Sequence, residues 1–380
     1  MKKLLAIILC AAMLLLTLAA CTTTNEESES DRLLGSGETE TYAEEWVDEP
    51  SQPSDLAIDL DNMWDAAFAT FAPDTVMISA GEHSVVWSEL FFHLRNMLQN
   101  FGGENPAEAA AAFGDMILAD VADSALAFRI IEFGAAAHNV ELDAEAIEEI
   151  QASIDMYREM EGLESEEALR QNLWETMGYY SVDTLRFLLE KSYLAQVLMH
   201  AMYGENGADL SDDAVREAIE NEGYLMSMHI LVMEHDDPTA EAARIHALLE
   251  AYTGDDFTAH FAELMFEYSE DLGGLQGFPT GYVFQAGDMV PEFYEGTKAL
   301  EIGGLSAPIR SQFGYHIIHR LPIDYDVVPI SMQGQMASLR HIVAMESFDV
   351  AMDTWLEELN PQFTPAFESI DLAAMFAVSD

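Results

Sequence analysis

The apolar positions of this chain change their period twice. From Ser88 to Asn221 they recur at helical spacing, broken at Gly162, Gly178 and Gly204. Asp143 stands where it can cap a helix to about Met160, Ser181 where it can cap Val182–Tyr203, and Ser211 where it can cap Asp212–Glu222. From Met226 the pattern shortens to two β-rich runs, Met226-Ser-Met-His-Ile-Leu-Val-Met233 and Gly314-Tyr-His-Ile-Ile-His-Arg-Leu321. Between them two segments return to helical spacing. One carries Ile245, Leu248, Leu249 and Tyr252, with Asp237 as cap, Pro238 in the first turn and Gly254 as the closing residue; the other carries Phe257, Phe261, Leu264 and Tyr268. Beyond Pro322 and Pro329, which read as a hinge, residues 331–359 are helical again, with Met345, Phe348, Met352, Trp355 and Leu356 on one stripe.

Upstream, Thr75–Ser79 and Ser84–Trp87, joined through Ala80-Gly81-Glu82, read as a small hairpin leading into a helix from Ser88. Residues 55–72 read as a short helix. Asp59, Asp61 and Asp65 suggest a calcium loop, but Trp64 stands where the turn glycine belongs, so they read as a solvated helix face. No fixed internal period runs through the helical stretch, which excludes a repeat solenoid.

The first 54 residues are different in kind. Lys2 and Lys3 precede an apolar run from Leu4 to Ala20, the pattern of a secretory signal over residues 1–20. Its end, Leu18-Ala-Ala-Cys21, looks like a bacterial lipobox, in which small residues admit the peptidase and Cys21 becomes the acylated N-terminus. Residues 22–54 are rich in Thr, Glu, Ser and Pro and cannot bury a core. As a coil they would reach about 30 Å, which suits a tether. The only cysteines, Cys10 and Cys21, both lie in this segment, so there is no disulfide framework.

The chain's 380 residues are enough for two or three domains, and 15 Lys+Arg against 69 Asp+Glu give a formal net charge of −54. That excludes a nucleic-acid surface, which needs basic patches, and disfavours adhesion to anionic headgroups. It favours attraction to basic or unfolded cationic polypeptides, though a solvated acidic surface needs no partner at all.

Candidate chemistry concentrates between Met226 and Leu321. The ordered motifs are the His229-Ile-Leu-Val232 strand, Tyr268-Ser-Glu-Asp271, Gly281-Tyr-Val-Phe284, Gly287-Asp-Met-Val-Pro-Glu-Phe293, Leu305-Ser-Ala-Pro-Ile309 and Ser311-Gln-Phe-Gly-Tyr-His316. On pattern alone each histidine can be a core residue, Met289 and Phe293 core side chains, and Asp271 a helix-end acid. The set in this order resembles the parvulin family of peptidyl-prolyl cis/trans isomerases, over about a quarter of the chain. The hairpin before long helices is similar to the N-terminal region of PrsA- and SurA-type extracytoplasmic foldases.

The resemblance implies an α+β chain: a parvulin domain at 224–322, a small antiparallel sheet surrounded by helices, attached to a mostly α-helical chaperone-like domain at 55–223. A C-terminal helical segment, 323–380, would pack on the N-terminal domain. It implies a catalytic network of His229, His316, Asp271 and Ser311, and a proline pocket lined by Met289, Phe293 and Phe284. The spacing of Met289 and Phe293 fits one face of a short helix. The loop Leu272–Thr280 departs from the family's common glycine-rich form. The acidic loop Glu234–Pro238 stands where phosphate-directed members are basic, so phosphorylated substrates are not expected. His316 and His319, three apart on a strand, should face opposite ways.

No cofactor or metal is expected: the scattered His235, His246, His260 and His341 form no cluster, and there is no Gly-rich phosphate loop or Ser-His-Asp set. Rotation about a peptide bond faces a barrier of about 18–20 kcal/mol and breaks no bond, so neither a nucleophile nor a metal is required. The reading is a lipid-anchored isomerase and foldase acting on exported, X-Pro-containing clients at the outer face of a bacterial membrane, with dimerisation left open. The alternatives are a holdase whose parvulin domain is weakly active or inactive, and, ranked low because its parallel α/β repeat is missing, a solute-binding lipoprotein.

Overall fold

The structure, a computed structural model, describes residues 56–377 except 57, 82, 103–104, 234–236 and 331–336. The signal, Cys21, the tether and His235 therefore lie outside the described residues. The described residues form two compact units: those up to Met202 with those from Ser347 onward, and those within Tyr203–Glu346. Among the described residues, no helix is long and apolar enough to cross a membrane.

The first unit is mostly helical. It holds α1 (Met63–Phe68), a hairpin β1 (Val76–Ala80) and β2 (His83–Val86), then α2 (Trp87–Gly102), α3 (Pro106–His138), α4 (Ala144–Met160), α5 (Glu166–Met177) and α6 (Val182–Tyr203). The caps follow the short polar side chains. Asp143 accepts from the Ala146 N–H and Ser165 from that of Ala168, and Ser181 accepts from the Thr184 N–H. Each satisfies an amide that the first turn leaves without a helical partner. Ile150, Ile154, Leu169, Leu173, Leu185 and Leu189 from α4, α5 and α6 share one core. Asp65 is not on a solvated face. It is buried, accepting at 2.8 Å from Trp174 Nε1 and at 2.8 Å from the Asp59 N–H. Asp61 is exposed.

Within this unit Trp355, on the long helix Leu339–Leu359, lies over α3 at Gly134. A Cβ at Gly134 would stand 2.4 Å from Trp355 Cζ3, so only hydrogen fits beneath the ring.

The second unit is built on a four-stranded antiparallel sheet. It adds α7 (Asp212–Ile219), capped by Ser211 and ending three residues before Glu222, then β3 (Leu225–Val232), α8 (Pro238–Glu250), α9 (Phe257–Tyr268) and α10 (Leu272–Gly277). After these come β4 (Tyr282–Phe284), α11 (Pro291–Lys298), β5 (Ile309–Ser311) and β6 (Gly314–Leu321), in sheet order β4-β3-β6-β5. The first helix of the pair ends at Glu250 with Ala251 as its cap, so Gly254 does not close it.

Every residue of β3 is buried, because both faces of the strand are covered. Period two then divides the side chains. Met226, Met228, Ile230 and Val232 pack with Ile245, Leu249, Phe261 and Met265 of α8 and α9. The intervening residues turn to the opposite face, where Leu225 packs with Phe293 of α11. Gly314 opens β6 at φ +133°, in a conformation that side chains rarely adopt, and a Cβ there would meet the Val232 carbonyl oxygen.

Gly134→Ala should lower stability by about 1–3 kcal/mol, since the indole ring must shift to admit the methyl. Thermal melts check this. A Trp355→Leu background should absorb most of the Gly134→Ala effect, making the pair non-additive.

Candidate active site

Antiparallel pairing of β3 with β6 sets His229 opposite Ile318 and Leu231 opposite His316. The histidines are therefore diagonal neighbours on one face, within reach of each other. Their Nδ1 atoms are 3.1 Å apart. Their rings lie nearly parallel, with centroids 5.3 Å apart. His319, one face away, packs against Phe257 and Phe261 and pairs with Thr258.

Two further groups close the ends of this pair. On one side His229 Nε2 is 2.8 Å from Asp271 Oδ2. Asp271 is placed by backbone bonds: Ser269 Oγ accepts from the Leu231 N–H, and the Glu270 N–H donates to the Leu231 carbonyl, pinning the turn after α9 against β3. Asp271 is also the N-cap of α10, where its Oδ1 accepts from the Gly274 N–H at 3.0 Å. The Leu272–Thr280 stretch thus begins as a short helix whose cap reaches the histidines. On the other side Ser311, at the end of β5, sets its Oγ 2.7 Å from His316 Nε2 and accepts from the Phe313 N–H at 3.1 Å.

Charge follows from these contacts. The hydrogen bond from His229 holds the Asp271 carboxyl well below the usual carboxylate range, with Tyr282 and the Gly274 amide adding to it against the opposing effect of burial. Burial, and then the His229 ring, pushes His316 down to about 4, so its imidazole is neutral near pH 7. Burial and Asp271 push the Tyr282 phenol up, keeping it a donor, and its hydroxyl donates to Asp271 Oδ2 at 2.7 Å.

The tautomers follow from these partners. An ionised Asp271 only accepts, so His229 Nε2 carries hydrogen. With His316 uncharged and the Ser311 hydroxyl donating to its Nε2, His316 Nδ1–H is left to donate to His229 Nδ1. Every polar atom of the pair then has a partner, as buried groups require.

Over this floor opens a cavity of about 450 Å³, lined by the two histidines, Asp271 and Tyr282 together with Met289, Val290, Phe293 and Phe313. The Phe293 ring stands edge-on to both imidazoles, at centroid distances of 5.0 and 5.4 Å. Met289 shares the cavity but not the helix. Pro291 starts α11 with Val290 as its cap, so helical i,i+4 spacing does not bring Met289 to Phe293. Phe284 is fully buried, its centroid 5.4 Å from that of Phe293, and it supports the wall from behind rather than facing the cavity.

Tyr282 was not singled out by the motifs, yet it lies two residues before Phe284 on a strand, and period two alone points to it. Leu231 and Asp288 also line the cavity. Among the described residues there is no group of three or more His, Cys, Asp or Glu side chains able to hold a metal.

Residues 229–321 match the family model described as Rotamase, PPIC-type PPIASE domain. This block is a parvulin domain. The chain is 33% identical over 187 residues to the foldase protein PrsA of Halalkalibacterium halodurans, covering 48% of this chain and 52% of the relative. It is 36% identical over 104 residues to the chaperone SurA of Methylobacillus flagellatus, covering 27% of this chain and 23% of that one. The chain thus spans about half of the first relative and under a quarter of the second. The crystal structure of PrsA from Bacillus subtilis is 19% identical, covering 81% of this chain and 100% of that chain, with a TM-score of 0.24 that carries no further weight. The parvulin domain therefore sits in a chain whose curated relatives are foldases and chaperones.

The depressed His316 has a consequence for stability. Unfolded, this imidazole protonates near 6.5; folded, only near 4. Between those values the unfolded chain binds more protons, so stability falls as pH drops from about 6.5 to 4 and this contribution is flat above. The contribution is on the order of 3 kcal/mol. Denaturant unfolding of wild type and His316→Gln across pH 4–8 should show a difference that shrinks on acidification. Histidine NMR should find His316 neutral until about pH 4.

Proposed function

We propose that this chain is a peptidyl-prolyl cis/trans isomerase and foldase, with His229, His316, Asp271 and Ser311 as its catalytic network and Met289 and Phe293 as its proline-binding wall. The observation that carries the reading is the meeting of a continuous His229–His316 network with an apolar cavity large enough for a prolyl ring. X-Pro bonds isomerise in tens to hundreds of seconds unaided. Bringing that to milliseconds requires lowering the barrier by roughly 5–7 kcal/mol. The cavity can contribute in two ways. Its apolar wall holds the ring out of water, and its fixed dipoles favour an amide twisted out of conjugation, whose charge is less separated. The imidazoles act by orientation and polarity, and no proton needs to leave the network.

Similarity to a foldase and to a chaperone supports the foldase role. The helical unit would hold unfolded, exported polypeptides while the parvulin domain turns over their X-Pro bonds. Residues 1–20 would direct export, Cys21 would carry the lipid, and residues 22–54 would tether the body outside the membrane. A holdase reading has its own observation: Phe101, Phe113 and Met116 of the helical unit are about half exposed, at 53%, 49% and 45%.

A protease-coupled assay on a Leu-Pro peptide decides between them. Wild type should turn over, and Phe293→Ala and His316→Ala should each lose at least tenfold in kcat/KM. Suppressed aggregation of an unfolded client without any isomerisation would favour the holdase and sink the enzyme reading.

A further inference from the structure

The cavity has one lining residue from outside the matched domain. The domain match ends at Leu321, yet Ile330 stands in the cavity wall. The segment between carries no helix or strand, and its route is fixed by a few contacts within the same unit. Ile323, Tyr325 and Val327 pack against the core behind β3. The Ile330 N–H donates to the Val283 carbonyl at 2.7 Å, laying the segment's end along the outer strand β4. The Ile330 side chain packs on the cluster that includes Phe293, Tyr282 and Phe284.

Midway, the segment is clasped by Arg340. This guanidinium is buried, in a chain otherwise dominated by acids. Its Nε donates to Asp326 Oδ1 at 2.6 Å and its Nη2 to Asp326 Oδ2 at 3.2 Å, the two-pronged geometry that fixes a carboxylate in orientation as well as distance. Nη2 also reaches Asp212 and Nη1 the Leu210 carbonyl, and the Arg340 N–H donates to the Tyr325 carbonyl. The clasp ties Asp326 to α7 and to the helix that follows, four residues before Ile330.

We infer that Ile330 is a specificity-determining residue of the cavity, selecting peptides with a bulky apolar side chain next to the proline, and that the Arg340–Asp326 clasp positions it. The inference rests on the isomerase reading for its assay and on the cavity alone for its geometry. An apolar wall gains with the area it removes from water. A leucine beside the proline can bury against Ile330, and an alanine cannot. The discrimination is modest, because one methylene in a hydrophobic pocket separates side chains by only roughly 10–200-fold. Asp326 acts only through Ile330, so its removal should alter the same preference without touching the imidazole network.

The test uses the full chain and two peptides, one with Leu and one with Ala before the proline. Wild type should favour the Leu peptide, and Ile330→Ala should cut that Leu-over-Ala ratio of kcat/KM about tenfold while changing the Ala peptide little. Asp326→Ala should move the ratio in the same direction. The double variant should add nothing beyond Ile330→Ala, since both remove one contact. A fall in activity on both peptides alike, or an unchanged ratio in Ile330→Ala, overturns the inference. If wild type turns over neither peptide, the isomerase reading fails, and calorimetric binding of the same peptides decides. A Leu preference in Kd that disappears in Ile330→Ala upholds Ile330; equal affinities, or no binding, dispose of it.

Discussion

The candidate site depends on one pairing, that of β3 with β6. Antiparallel register fixes which residues face each other, and a slip by one residue would send every side chain to the wrong face. In this register the even-numbered positions of β3 anchor α8 and α9 through a largely apolar layer. The odd-numbered positions present His229 to a diagonal partner on β6. The hydrophobic layer on one face thus stabilises the strands that hold a polar network on the other. Two buried imidazoles would be costly alone. They persist because Asp271 and Ser311 satisfy their outer nitrogens.

Much of this was legible in the sequence because it depends on local rules. The alternation around His229 and His316, and the Asp and Ser caps, are periodicities and turn chemistry that a single chain displays. His319 could be turned away from the pair by counting alone. Asp271 was named for its place in a motif, but its double attachment, to α10 through a backbone amide and to His229 through its other oxygen, depends on a turn pinned by Leu231 forty residues earlier. The resemblance points to Met289, but the helical spacing that would suit that role does not hold. Proline starts the helix two residues after it, and the loop rather than the helix delivers its side chain. Ile330 gave no signal at all, since it follows the last strand in a stretch without periodicity.

In the helical unit the same contrast holds. Helix starts announce themselves through Asn, Asp and Ser. Long-range polar contacts do not. Asp65 looked like a member of a solvated acidic face, yet it accepts from an indole more than a hundred residues away. Arg95 satisfies the last carbonyls of α5, at Trp174 and Glu175, while its guanidinium lies 5.5 Å from the ring centroids of Trp64 and Trp174. With cations so scarce, buried arginines such as this one tie elements together rather than decorate the surface.

The loop origin of Met289 gives the cavity two walls of unlike stiffness. Phe293 is wedged against both imidazoles and backed by Phe284, so its ring has little freedom. Met289 is only half-buried, on an unbranched thioether arm with three rotatable bonds. One side of the cavity is therefore an anvil and the other a cushion. Such a vice can hold a rigid ring against its hard side while the soft side adjusts to the ring's outline.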